Sequence, residues 1–374
     1  MISRIDSFGL LYEEPHYRGA ERCITLVRVE TRDGTVGWGE AISQFPEATV
    51  ATRALVDDGF SPLLVGEDPL QVEALWERMC AHAYWYGVEG IAAFAISAID
   101  MALWDLKGKL LGQPVAALLG GDHRTAIPAM GSVIFDMDDL AWTLGEFEFM
   151  RDAGYPIVKA GWGMHPGALF GDDRERDLLY LREVRAVIGD DLSLVVDTPG
   201  ARALWDVDTA IARLNEWEPF GLRWVEQPLL PADLEAYARL RRSVNVPVGA
   251  GEDEWSPETY GRVIGAECVD VIQLDPGRCL GLTGCREVIR MAEHAGIQYS
   301  AHSWSGALNT AASLHFLAIS ENGDTLDFKP HESPMQHDLV TDPWEPADGM
   351  LELRPEPGLG VQVRDEAVRK YRLG

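Results

Sequence analysis

Apolar positions change rhythm about a third of the way along the chain. In the first part, alternation around Cys23 to Thr31 and Thr35 to Ala41 brackets the turn Asp33-Gly34 and predicts a hairpin. Helical spacing follows over Leu70 to Ala83, and Ile91 to Leu111 reads as a long apolar helix ended by Gly112-Gln113-Pro114. Gly120-Gly121-Asp122 then reads as a linker. From about Ala126 the texture becomes short β-rich runs separated by amphipathic helices. The runs are Ile127 to Val133, Pro156 to Ala160, Leu192 to Val196, Leu222 to Val225, Val246 to Gly249, Val269 to Leu274, Gln298 to Ala301 and Thr325 to Phe328. Near-continuous apolar runs of this kind predict parallel strands buried on both faces. Eight such units over roughly 200 residues match the size of a (β/α) barrel. The Pro- and Asp-rich segment from about Pro334 is expected to return to the N-terminal part. The expected division is thus an α+β domain at 1–125, a barrel at 126–333 and a completing segment at 334–374.

Composition narrows the partners. With 32 basic and 60 acidic residues the formal net charge is −28, which repels nucleic acid and anionic membranes and excludes both as partners. An anionic substrate would then need a local positive centre, and lysine is scarce: Lys107, Lys109, Lys159, Lys329 and Lys370 are the only ones. Five cysteines without paired spacing argue against a disulfide framework or a zinc cluster. The N-terminus lacks a basic opening and an apolar core of signal-peptide length, so a cytoplasmic location is expected.

The candidate chemistry lies where the strands end. One ionisable residue follows nearly every run: Lys159, Asp197, Glu226, Glu252, Asp275, His302 and Glu332, at steps of 38, 29, 26, 23, 27 and 30 residues. Each step is about one βα unit. Because strand C-termini converge on one mouth of a barrel, these side chains are expected in one concave site. A single Asp or Glu at such a place is more often a helix N-cap, but several in register are not so explained. Carboxylates buried together repel and raise one another's pKa unless a cation joins them. Asp197, Glu226 and Glu252, from adjacent strands, form a hard oxygen site suited to Mg²⁺.

The same residues carry a resemblance that covers almost the whole chain. VVDTP, WVEQP and VGAGED resemble the three metal-ligand strands of the enolase superfamily, in its mandelate racemase / muconate lactonizing enzyme family. VIQLDPGRCLGLTG and YSAHSW resemble that family's Asp-His dyad, which implies that Asp275 orients and charges His302. IVKAGWG resembles the second-strand motif with two lysines one residue apart; Lys159 takes the second, catalytic place and Ile157 the first. Pro199 stands where the family has a substrate-binding asparagine, so polar contacts must come from elsewhere, such as the insertion Met164 to Asp173. Glu332 resembles the acid that hydrogen-bonds the enolate oxygen. Trp162, Arg278, Trp304 and His165 are further substrate-binding candidates, whereas His331 and His337 read as surface histidines. Tyr12 to Arg22 and Ser43 to Glu47 correspond to loops that close over substrate.

The resemblance implies a modified (β/α)8 barrel of the TIM type, built as (β/α)7β, with an α+β capping domain and one Mg²⁺ per site. It implies a homo-oligomer, dimer to octamer, acting on a small carboxylate. Use of Lys or His as base beside Mg²⁺ is established chemistry of that superfamily. With Lys159 and His302 facing opposite sides of the substrate's α-carbon, three outcomes are open: dehydration of a sugar acid, racemisation or epimerisation, and cycloisomerisation. Dehydration is the leading expectation. A non-catalytic sugar-acid binder is the distant one.

Overall fold

The computed structural model describes residues 1–121, 124–202 and 204–373. Its N-terminal part is an antiparallel sheet in the order β1 (Ile2–Glu14), β2 (Ala20–Thr31) and β3 (Val36–Gln44), joined to helices Pro46–Ala54, Val72–Ala83 and Ile91–Leu111. The Asp33-Gly34 hairpin forms as expected between β2 and β3. The sequence reading had no strand before Cys23. Yet β1 pairs with β2 along nearly its whole length, so Tyr12 to Glu14 and Ala20 to Arg22 are strand and the connecting turn is short.

Helix Ile91–Leu111 is buried on almost every face because it lies between this sheet and the barrel, packing on β3 and on helix Gly281–Ala295. Gly39 permits that approach: a Cβ there would stand 2.0 Å from the Ala98 carbonyl oxygen. Gly112 ends the helix in the left-handed conformation at φ 66°. Asp122, the end of the expected linker, lies outside the described residues.

Eight parallel strands follow in sequential order: β4 (Ala126–Ile134), β5 (Ile157–Gly161), β6 (Ser193–Asp197), β7 (Leu222–Glu226), β8 (Val248–Ala250), β9 (Val271–Leu274), β10 (Gln298–Ala301) and β11 (Gly323–Phe328). Pairing of β11 with β4, Leu326 opposite Ala129, closes the barrel. One helix of the outer layer stands between each strand and the next, so the (β/α)7β expectation holds. Asp139, Asp173, Asp206 and Asp233 each accept a backbone N–H as N-caps of barrel helices. That role was the alternative for the strand-end acids, and other aspartates fill it.

Met130, Ile157, Val195, Trp224 and Val271 pack together inside the barrel and form the floor beneath its mouth. Ile157, in the place of the missing lysine, therefore belongs to the packing and not to the mouth. The C-terminal segment does more than complete the capping domain. β12 (Met350–Glu352) adds antiparallel to β4, while the Leu359 amide donates to Asp105 on the long helix and the Leu373 amide to the Gly9 carbonyl on β1. It thereby ties barrel and cap together. Among the described residues no helix is long and apolar enough to cross a membrane.

Candidate active site

A cavity of about 550 Å³ opens at the C-terminal ends of the barrel strands, beneath the capping domain. Strand pairing explains how distant residues reach it. Gly161 pairs with Asp197, and Asp197 with Glu226, so two acids that end their strands stand side by side. A Cβ at Gly161 would fall 1.7 Å from the Asp197 carbonyl oxygen, so only glycine admits this close approach. The next residue, Trp162, holds φ at 56° and donates its amide to that same carbonyl at 3.0 Å. A left-handed tryptophan is costly, and such backbone gathers at functional sites.

The acids form one cluster. Oxygens of Asp197, Glu226 and Glu252 lie within 4.8 Å of one another, an arrangement that could hold a metal ion. Lys159 enters from β5, its Nζ 3.3 Å from Asp197, 3.1 Å from Asp327 and in contact with Glu226. Burial disfavours this ammonium, but Asp327, Glu226 and Asp197 outweigh it and hold the Lys159 pKa well above the ordinary lysine value. Burial likewise pushes the Asp197 carboxyl well up; Lys159 opposes this and the neighbouring acids reinforce it. One cation does not satisfy so many carboxylates, and Asp197 Oδ1 and Asp327 Oδ1 are buried without any hydrogen-bond donor.

Across the cavity stands the dyad. His302 Nδ1 donates to Asp275 Oδ2 at 2.7 Å, and the Gly277 amide donates to the other oxygen of Asp275 at 2.8 Å, which fixes the carboxylate. His302 Nε2 is 3.5 Å from Glu252. Burial works against the imidazolium, yet Glu252 and Asp275 together raise its pKa to about 9. The ring is held in one orientation and charged at neutral pH.

Glu332 requires a correction. It is exposed and does not line the cavity; the acid contributed by the last strand is Asp327, buried and bonded to Lys159. β11 ends at Phe328, so Glu332 falls in the loop beyond it. The step of 25 residues from His302 to Asp327 fits the spacing of the other strand ends, and that signal was present in the sequence.

Trp162, Arg278, Trp304 and His165 all line the cavity. Arg278 stacks over Trp255 at 3.7 Å and donates to the Asp253 carbonyl, and it caps no helix. His165 is exposed and bonded to Asp138, while the rest of the insertion supplies mainly apolar wall through Met164, Pro166 and Leu169. His331 and His337 pair with Glu146 and Glu345 outside the cavity. Reasoning from sequence missed Asp253 and Trp255 on the wall; on the cap side, Tyr17 and Arg22 fall in the segment Tyr12 to Arg22 expected to lie over substrate, as Ser43, Gln44 and Phe45 do in Ser43 to Glu47. The stretch GEDEW carries that missed pair next to Glu252, whereas nothing local singles out Tyr17 and Arg22 within their segment.

Family models match both parts of the chain. Residues 145–367 match the enolase C-terminal domain-like family, and residues 18–120 the mandelate racemase / muconate lactonizing enzyme N-terminal domain. The chain belongs to the mandelate racemase / muconate lactonizing enzyme family. Within that family it is 29% identical over 375 residues to D-galactarolactone cycloisomerase of Agrobacterium fabrum, covering 97% of this chain and 94% of the relative. It is 30% identical over 362 residues to D-galactonate dehydratase of Xanthomonas axonopodis pv. citri, covering 95% and 92%. The crystal structure of 3,6-anhydro-D-galactonate cycloisomerase from Zobellia galactanivorans superposes with a TM-score of 0.90 at 28% identity, covering 100% and 99%. That of a racemase from Streptomyces coelicolor with bound magnesium superposes at 0.88 and 25% identity, covering 100% of both chains.

Proposed function

We propose that this protein is a Mg²⁺-dependent enzyme that removes the proton α to the carboxylate of a sugar acid and expels a β-oxygen, in the first place by dehydrating the acid to a 2-keto-3-deoxy acid. The observation that carries this reading is the joint presence, around one cavity, of an undersatisfied carboxylate cluster and a His302–Asp275 dyad. Asp197, Glu226 and Glu252 are the residues that would hold the ion. Their all-oxygen donor set suits a hard dication, and the donor-free Asp197 Oδ1 gives it a waiting partner. Bound there, Mg²⁺ supplies positive charge that offsets the negative charge developing on the substrate carboxylate. The magnesium bound by the Streptomyces coelicolor racemase supports the choice of metal.

The chain's own residues divide the proton work. Lys159 on β5 and His302 after β10 stand three strand positions apart around the ring, so they approach the substrate from different faces. Lys159 is the base: an ion held by Asp197 and Glu226 would compete with it for those oxygens, which would weaken the hold that keeps it protonated. His302, whose charged form Asp275 favours and whose ring it aims, is the acid that donates its proton to the departing oxygen. Asp327, bonded to Lys159, positions that base.

A second reading, cycloisomerisation with a ring oxygen as the leaving group, is favoured by the two cycloisomerases among the similar proteins. Pro199, which offers no side-chain donor, is compatible with a ring substrate that needs fewer polar contacts. The test is a screen of acyclic sugar acids and their lactones for 2-keto acid formation with Mg²⁺. His302→Asn is expected to lower turnover by about 10²–10⁴-fold while α-proton exchange in D₂O through Lys159 persists. Lys159→Met is expected to lose both. Turnover of lactones alone selects the second reading, and unchanged product formation by both variants refutes the assignment.

A further inference from the structure

The two ends of the cavity differ in charge. The barrel end holds the acids with Lys159. On the cap side stands Arg22, carried by β2 beside the turn Pro15–Tyr17. Its guanidinium carbon lies 4.2 Å from the centre of the Tyr17 ring, and Nη1 donates to the neighbouring Glu21 carbonyl at 3.1 Å. Its Nε is buried with no acceptor. Among the described residues no carboxylate stands within ion-pairing distance of Arg22, in a chain that carries 60 acidic residues.

Neighbouring cations are treated otherwise. Arg18, four residues earlier, contacts Asp136; Lys329 contacts Glu14; Arg278 has Asp253 at 3.8 Å. A guanidinium offers a planar fork of donors matched to a carboxylate, and stacking on an aromatic ring holds that fork in one plane. Arg22 is so held, faces the cavity and lacks an acid of its own. The acid it fits is one that enters with the ligand.

We infer that Arg22 receives a second carboxylate of the substrate, at the end remote from the reacting carbon, so that the preferred substrate class is an open-chain diacid of the aldarate type and not a monoacid. The inference rests on the proposed function, since it takes the first carboxylate to lie at the acid cluster. Tyr17 then acts as the platform that positions the guanidinium.

The test uses two six-carbon probes without stereocentres or a β-hydroxyl, adipate and 6-hydroxyhexanoate, which differ only at the far end and are not dehydrated. Their affinities for the full chain are measured by calorimetry with Mg²⁺ and again with EDTA. Adipate is expected to bind about tenfold more tightly than the hydroxy acid with Mg²⁺ present, as a charge-assisted pair implies. Arg22→Gln should bring the ratio close to one, and Arg22→Lys should restore part of it, which a merely structural arginine would not show. Equal affinities in the wild type, a ratio that survives Arg22→Gln, or no measurable binding of adipate each overturn the inference. Mg²⁺-dependent binding without preference for the diacid removes the role of Arg22 and leaves the proposed function standing. Binding of both probes that is indifferent to Mg²⁺ removes the proposed function and this inference with it.

Discussion

Two groups of buried carboxylates in this molecule, at the seam and at the barrel mouth, are handled in opposite ways. At the seam between cap and barrel, Glu40 accepts the amides of Gly306 at 2.6 Å and Asn309 at 3.3 Å and the hydroxyl of Ser305. Asp100 accepts the amide and hydroxyl of Thr283 at 2.9 and 2.6 Å; Asp105 accepts the amides of Trp38 and Leu359 and the ammonium of Lys109. Donors there match oxygens, and the acids join segments far apart in sequence. At the barrel mouth, Asp197, Glu226 and Asp327 share the single ammonium of Lys159, and two of their oxygens have no donor at all. Burial costs both regions alike. What distinguishes a structural acid from one held ready for chemistry is the count of donors around it, not its depth.

That contrast can be broken most directly by removing one acid from each region. Asp197→Asn, or exhaustive chelation of the wild type, is expected to reduce substrate α-deuterium exchange by about 10³-fold or more, read by mass spectrometry in D₂O. Asp100→Asn keeps the wild-type exchange rate. Comparable losses in both would erase the distinction.

The two buried lysines sharpen it. Lys329 and Glu14 are a one-to-one pair, each 1% exposed, so Lys329→Met leaves an uncompensated buried charge and should cost about 3–5 kcal/mol in urea unfolding, with or without Mg²⁺. Lys159→Met removes the cation from a cluster that can exchange it for another. Its destabilisation should shrink as Mg²⁺ is added, by the linkage of a ligand bound only to the folded state. Equal response of the two variants to Mg²⁺ would count against a metal at the mouth.

The smallest effect concerns pH at the seam. Burial raises the Asp100 carboxyl from its usual 3.8 to about 7. A folded pKa above the unfolded one means stabilisation that is complete below about pH 4 and is lost as the pH rises through about 7. Asp100→Asn should flatten that part of the stability profile, measured as urea midpoints at about pH 5 and about pH 8. An unchanged slope would show that Asp100 does not titrate in this range.

Legibility followed range. All eight barrel strands overlap the runs read from hydrophobic pattern, because strand burial leaves a local signature. The acids Asp197, Glu226, Glu252 and Asp275 and His302 were visible because each sits at, or one or two residues past, the end of a strand, and Lys159 because it stands two residues before the end of its own. Asp327 was passed over for Glu332 although the last run was read to Phe328, where β11 does end: Asp327 stands one residue inside the strand, and what sets it apart is its contact with Lys159, 168 residues away in sequence. β1 went unseen for a similar reason, its pairing with β2 being clearer than its own weak alternation.

Taken alone, the order of residues determined which segments become strands and helices, and which ionisable groups end the strands, since both follow from neighbours a few positions apart. Only tertiary structure decided which acids are satisfied and which are not, that Ile157 lies in the floor, and that Arg22 faces the cavity without an acid. Those properties depend on what arrives from elsewhere in the chain: the Asn309 and Gly306 amides reaching Glu40, the long helix reaching Thr283, the cap strand reaching the barrel mouth. Hydrogen-bond satisfaction is a sum over spatial neighbours, and spatial neighbours exist only once the chain has folded.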